Sequence, residues 1–272
     1  MKIALYYRHI DQADRQAFDA LLKALAERHI ETISVSDGDT VDGCDYLFSI
    51  GGDGTLLSSV QFIRTSSPEA FPPVLGINFG HLGFLTTVGR ENIEGLVEDL
   101  QTGRFTLEER TLLQLSSSQP QLATPYALNE VFVHRSEAMS LLRTQVYVDG
   151  DYVATYAGDG VIVATPTGST AYSLSCGGPI LVPDSRCFVV TPISAHTLTL
   201  RPIIVPDSSS ITLKAEGEQF TLGVDSRRDT LHGGATVELS RAPFTVRLIR
   251  TAGQSFFSAI RDKLMWGTEA RR

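Results

Sequence analysis

The chain reads as an α/β domain followed by a β-rich one. Over its first hundred residues, strand-like apolar runs alternate with apolar residues at helical spacing, the pattern of a parallel sheet with crossover helices. From Arg104 onward the segments are shorter and alternate with period two, as half-buried strands do. A strand, a glycine turn and a helix meet at Gly51 to Thr55, the junction an α/β sheet uses to hold a ligand.

Residues 2–7 are strand-like, and Phe18, Leu21, Leu22 and Leu25 then recur on one helical face. Thr32 to Val35 and Tyr46 to Ile50 are further strands, the second buried on both sides. A helix is expected from about Thr55 to Arg64, ended by Pro68 and Pro72-Pro73, before another buried strand over Val74 to Asn78. Ile93, Leu96, Val97 and Leu100 mark a helix closed by Gly103. Val146 to Val153 is a hairpin turning at Asp149-Gly150, a pair that suits positive φ. Ile211 to Leu213, Thr236 to Leu239 and Thr245 to Ile249 alternate as strands, and Phe256, Ile260 and Leu264 return to helical spacing. The residues alone leave the partner of that last helix open.

Composition narrows the function classes. With 272 residues, 42% of them hydrophobic, the chain is long enough for one large core or two modest ones. Acidic residues outnumber basic ones by 31 to 23, so no nucleic acid and no anionic membrane is expected as partner. Cys44, Cys176 and Cys187 have neither ligand spacing nor an even-numbered framework, which fits a reducing cytoplasm. The six histidines are scattered, with His134 and His196 read as packing or surface residues, so no tightly held metal is expected. No leader is expected before the strand at Lys2, and no apolar run approaches the ~20 residues of a membrane span.

Gly51-Gly52-Asp53-Gly54-Thr55 has the make-up of a phosphate site. Glycines let backbone N–H groups crowd around an anion, and a helix N-terminus adds a favourable dipole. Asp53 would repel that anion unless a cation lies between them or unless it acts on the group attacking the phosphorus. A second run begins at Gly158-Asp159-Gly160, continues through an apolar strand to Thr165 to Ser175, and ends at Gly177-Gly178-Pro179. Thr170, Ala171, Tyr172, Ser173, Leu174 and Ser175 combine hydroxyls suited to sugars with one ring face suited to a base. Asn129-Glu130 precedes another strand, and such an amide and carboxylate together can grip nucleoside hydroxyls and ring nitrogens.

The Gly51 to Thr55 run resembles a signature shared by NAD kinases, diacylglycerol kinases and phosphofructokinases. The long run from Gly158 to Ile180 is similar to the NAD kinase motif almost letter for letter, and Asn129-Glu130 matches a pair that family places before a strand. The resemblance covers nearly the whole chain. It implies a Rossmann-like domain of residues 1–104 completed by 253–272, a β-sandwich-type domain of residues 105–252 that binds NAD, and an active site in the cleft between them. It further implies transfer of the ATP γ-phosphoryl group to the adenosine-ribose 2′-hydroxyl of NAD, with Mg²⁺ or another divalent cation on the ATP. Asp53 would orient the hydroxyl and receive its proton. Gly51, Gly52 and Gly54 would offer amides to phosphates, and a side chain at Gly52 would clash there; Asn129, Glu130, Asp159 and Thr170 to Ser175 would hold NAD. A homo-oligomer, dimer or tetramer, is implied as well. Ala157 and Arg227 depart from the residues frequent in the family at those places. A lipid or sugar kinase would share the glycine turn without needing the hydroxyl-rich run, and a binding module that senses NAD(H) would gain little from a carboxylate beside phosphates.

Overall fold

The computed structural model describes residues 1–62, 70–81, 83–119, 125–136, 141–251 and 255–267. In chain order the strands and helices are β1 (Lys2–Tyr6), α1 (Arg15–Glu27), β2 (Glu31–Val35), β3 (Tyr46–Ile50), α2 (Asp53–Phe62), β4 (Val74–Ile77), α3 (Ile93–Thr102), β5 (Phe105–Ser117) and β6 (Tyr126–Ala127). There follow β7 (Glu130–Arg135), β8 (Leu142–Val148), β9 (Asp151–Gly158), β10 (Gly160–Ala164), α4 (Tyr172–Ser175), β11 (Cys187–Ile193) and β12 (Ile203–Pro206). The last are β13 (Ile211–Glu216), β14 (Gln219–Val224), β15 (Arg227–His232), β16 (Thr236–Thr251) and α5 (Phe256–Leu264). The expected end of the second helix at Arg64, its stop at Pro68 and the boundary at residue 253 lie outside the described residues.

The chain forms two compact units, Met1–Glu109 with the segment from Val246 onward, and Arg110–Thr245. In the first, β2, β1, β3 and β4 pair in that order, all parallel. The amphipathic helices supply the covering: α1 buries Phe18, Leu21, Ala24 and Leu25, and α3 buries Ile93, Leu96, Val97 and Leu100 before Gly103 ends it at φ 68°. These meet Ile3, Leu5, Phe48, Ile50, Leu75 and Ile77 in one core. The end of β16 lies beside β4, with Leu248 opposite Val74, and Ile249 joins the same core. Helix α5 starts with a capping box between Ser255 and Ser258 and buries Ile260. Because the chain moves from β1 to β2 on one side and from β3 to β4 on the other, the carboxyl ends of β1 and β3 flank the crevice where such sheets take ligands. Gly51 follows β3 directly.

The second unit is antiparallel. One sheet has the order β12-β11-β10-β7-β14-β15. In the other, β13 pairs with β16 and β8, and β8 with β9 through the turn at Asp149 (φ 52°) and Gly150 (φ 86°). Period-two alternation points Val131 and Val133 of β7, Val161 and Val163 of β10, and Leu222 of β14 inward against Val146, Ile211 and Leu213 of the facing strands. The outer face of the six-stranded sheet carries Phe132, Ile162, Ala164 and Val189, with Tyr172 of α4 and Cys176 just after it packed on them. One correction concerns the end of the chain. Thr236 to Leu239 and Thr245 to Ile249, expected as separate strands, belong to a single strand of 16 residues. Its alternation breaks where pairing passes from β13 to β4, which is why the sequence pattern looks like two pieces.

Candidate active site

Helix α2 begins at Asp53, two residues earlier than its apolar spacing suggests, so the carboxylate sits in the first turn of the helix. Thr55 and Leu56 both donate to Gly52 O. The N–H groups of Gly52, Asp53 and Gly54 stand where a helix has no intrahelical acceptors to offer. Gly51 differs: its N–H donates to Ile77 O at 2.8 Å, and its φ of 143° is one that side-chain-bearing residues rarely adopt. Gly51 therefore contributes through its backbone shape, while Gly54 has open space around it and a Cβ on Gly52 would meet only Asn78 Nδ2, at an ordinary 3.8 Å. A methyl at Gly52 would therefore meet no clash within the described protein, and the expected one would be with a bound group.

The Asp53 carboxylate is held by the turn after β4. Its Oδ1 accepts from Leu85 N (3.2 Å), Thr86 N (3.0 Å) and Thr86 Oγ1 (2.9 Å), and its Oδ2 accepts from Phe84 N at 2.8 Å. Among the described residues Oδ1 accepts three bonds and Oδ2 one, so Oδ2 is the less engaged oxygen. A Cβ on Gly83 would lie 1.8 Å from Asp53 Oδ1, so only glycine lets the turn approach this closely. Arg250 braces the turn, donating to Phe84 O at 3.1 Å and pairing with Glu108 at 2.8 Å. Beside it opens a cavity of about 270 Å³, lined among others by Gly83, Thr86, Arg250, Ser255 and Lys263. Gly83 to Thr86 and Arg250 did not stand out in the sequence. The available signal was a glycine and hydroxyls just past the carboxyl end of a parallel strand.

In the second unit, Asn129-Glu130 and the run from Thr165 come together. Thr165 N donates to Asn129 O (2.9 Å) and its hydroxyl to Leu128 O (2.6 Å), and a Cβ on Gly168 would lie 2.1 Å from Asn129 O. The backbone of Leu128 to Glu130 is gripped from the other side by Asp225, whose carboxylate accepts all three N–H groups at 2.8 to 3.0 Å. Asn129 and Glu130 are buried, and among the described residues Asn129 Oδ1 and Glu130 Oε2 have no hydrogen-bond partner. Burial first and the Asp225 charge second push the Glu130 carboxyl up to about 8.

The chain matches the ATP-NAD kinase N-terminal domain over residues 9–105 and the ATP-NAD kinase C-terminal domain over residues 128–251. An NAD kinase of Christiangramia forsetii is 35% identical over 100% of both chains, and one of Porphyromonas gingivalis is 43% identical over 84% of this chain and 78% of its own. The chain belongs to the NAD kinase family. It is a kinase whose phosphoryl acceptor is an alcohol. The crystal structure of an NAD kinase from Archaeoglobus fulgidus in complex with ATP superimposes with a TM-score of 0.81 at 26% identity, covering 97% of this chain and 99% of that one. Yeast NADH kinase complexed with NADH shares the fold, with a TM-score of 0.87 at 23% identity over 100% of this chain and 89% of that one.

Within this kinase the hydroxyl-rich run is two short helical turns, Thr167–Thr170 and α4, and several of its hydroxyls hold the run itself. Ser169 Oγ bonds Pro166 O and receives Leu181 N, and Ser173 Oγ meets Thr191 Oγ1 at 2.8 Å. Thr170 reaches back to Thr167 O at 3.3 Å. Ser173 is wholly buried, whereas Thr170, Ala171, Tyr172 and Leu174 are half-buried and Ser175 is exposed. The Tyr172 ring stands edge-on to Phe132, with centroids 5.5 Å apart.

Asp159 lies at the other end of the same strand pair. Glu130 is opposite Ala164 and His134 opposite Gly160, so Asp159 sits near Arg135, five residues or about 17 Å along β7 from Glu130. Partial burial would raise its carboxyl, but hydrogen bonds from Ser194 and Arg135 and the Arg135 charge outweigh that and hold it below its ordinary value. The Arg135–Asp159 pair measures 2.6 Å. A cavity of about 320 Å³ between these ends is lined by Phe132, His134, Tyr172 and Arg228, among others. Ala157 donates no side-chain group here; its carbonyl accepts His196 N. Among the described residues no three His, Cys, Asp or Glu side chains stand together as a metal site.

Proposed function

We propose that this kinase transfers the γ-phosphoryl group of ATP to the adenosine-ribose 2′-hydroxyl of NAD, with Asp53 receiving the hydroxyl proton. The observation that carries the reading is Asp53 Oδ2, which accepts a single bond among the described residues, in a helix first turn whose leading amides have no intrahelical acceptor. The 2′-oxygen forms the new P–O bond, the bond from the γ-phosphorus to the β,γ-bridging oxygen breaks, ADP departs with that electron pair, and the proton passes to Oδ2. A carboxylate is a weak base toward an alcohol, so the proton moves late, as P–O bonding acidifies the nucleophile. The amides of Gly52 and Gly54 face phosphate oxygens, and Gly51 shapes the turn. Among the described residues Asp53 is not grouped with two other His, Cys, Asp or Glu side chains that would cage a cation. The divalent cation implied by the family would come with the ATP phosphates and would supply charge neutralisation there.

NAD is assigned to the outer face of β7. Asn129 Oδ1 and Glu130 meet one nucleoside, the half-buried Tyr172 offers its ring, and Thr170, Ala171, Leu174 and Ser175 border the path toward Asp159. Ser173 acts through the fold, since its hydroxyl is bonded to Thr191. A cytoplasmic location fits the free cysteines Cys44, Cys176 and Cys187. A homo-oligomer fits the outermost strand β12, which exposes Ile203 and Ile204. Incubation with Mg²⁺-ATP and, in parallel, NAD, diacylglycerol or fructose 6-phosphate tests the reaction: NADP formation is expected from the first alone. Turnover of either other acceptor, or NAD binding with no NADP formed, would refute it. Light scattering gives the subunit number.

A further inference from the structure

Glu130 is buried, and among the described residues no ion pair reaches its carboxyl. The titratable groups that act on it are Asp225 from the β14–β15 turn, Tyr172 from α4 and Cys176 just after that helix, while Arg227 at the start of β15 interacts with Asp225. Only the Tyr172 backbone N–H favours its anion, while burial and Asp225 oppose it. Asp225 has a second role, since its carboxylate accepts Leu128 N, Asn129 N and Glu130 N, and its own N–H returns to Glu130 O at 2.9 Å. Its φ of 51° lies in the left-handed region, which Asp tolerates better than most side-chain-bearing residues. Asp225 thus holds the backbone that carries Asn129 and Glu130 and, second to burial, disfavours the Glu130 anion.

We propose that Asp225 is a positioning residue for dinucleotide binding, and that Glu130 meets NAD as a neutral acid, donating a hydrogen bond to a ring nitrogen or sugar oxygen. The inference rests on the reading that NAD lies along this face. Glu130 Oε2, which has no partner among the described residues, is an atom free to carry that proton. A neutral donor loses its proton near pH 8, so binding weakens above it; an anion accepting from ribose hydroxyls would give the opposite slope.

Calorimetric titration of NAD into the full chain, without ATP, from pH 6.5 to 9.5 reads the slope. The expected result is a Kd that rises as pH passes about 8, approaching tenfold per further unit. In Glu130→Gln, whose amide keeps a donor that cannot ionise, the rise should vanish. In Asp225→Asn the Kd at pH 7 should increase about tenfold, as the new NH₂ opposes one of the amides it replaces an acceptor for. Its alkaline midpoint should also move to lower pH, because the charge that disfavours the Glu130 anion is gone, a change that a purely structural role would not produce. A wild-type Kd that is flat or falls with pH, a rise that persists in Glu130→Gln, or an unmoved midpoint in Asp225→Asn would overturn the proposal. Should Asp225→Asn fail to fold, wild type against Glu130→Gln still decides. Absence of NAD binding at every pH would refute the underlying reading as well, and NADP formation at pH 7 tells the two failures apart.

Discussion

Asp53→Asn is the perturbation that separates the two tasks the structure gives this residue. The amide oxygen can take over Oδ1, where Leu85 N, Thr86 N and Thr86 Oγ1 converge, which leaves the new NH₂ facing Phe84 N, formerly 2.8 Å from Oδ2. One charge-assisted bond, worth about 1.5–3 kcal/mol, is replaced by donor against donor, and the others lose their ionic share. Asp53 is only half-buried, so water recovers part of this, and a net loss of about 2 kcal/mol is expected. For a chain of this size that lowers Tm by roughly 4–8 °C. Turnover should fall by at least ~100-fold, because the proton acceptor is gone. Thermal melts followed by circular dichroism, with steady-state kinetics on NAD and Mg²⁺-ATP, measure both. A variant that keeps more than about a tenth of kcat would refute the role as proton acceptor. An unchanged Tm would refute the anchoring of the 83–86 turn.

Other outcomes follow from the same geometry. Gly83→Ala puts a Cβ 1.8 Å from Asp53 Oδ1, so it should lower kcat at least tenfold while circular dichroism stays native. Leu213→Ala opens a hole in the sandwich core and should cost about 2–5 kcal/mol in a denaturant titration. Ser173→Ala strips Thr191 of its buried partner and should cost about 1–2 kcal/mol by the same method. Glu130 is raised from 4.5 to about 8, so the folded state binds the extra proton between those values and stability should decline with rising pH across that window, by up to about 1.4 kcal/mol per unit. Glu130→Gln should flatten that decline, as read from unfolding midpoints at pH 5 and pH 8.

Much of this protein is written along the chain because it depends on neighbours in sequence. β3, α3 with its Gly103 stop and the Asp149-Gly150 hairpin follow from local periodicity and turn chemistry. The glycine run after β3, Asn129-Glu130 and the hydroxyl-rich run are contiguous, so their residues could be picked out by type and order.

What binds those pieces depends on residues far apart in sequence, and only the tertiary structure decided it. Asp53 is tied to Phe84, Leu85 and Thr86 more than thirty residues away, and Asp225 grips Leu128 to Glu130 from 95 or more residues downstream. Neither partnership leaves a mark in periodicity, since the donors are backbone amides that every residue type but proline supplies. The same holds for hydroxyl use: composition alone makes Ser173 and Ser175 equivalent, whereas burial gives the first to Thr191 and leaves the second exposed. Local chemistry fixes which groups are present. The fold decides which of their lone pairs and N–H groups remain for a substrate, because that count depends on what the rest of the chain has already used.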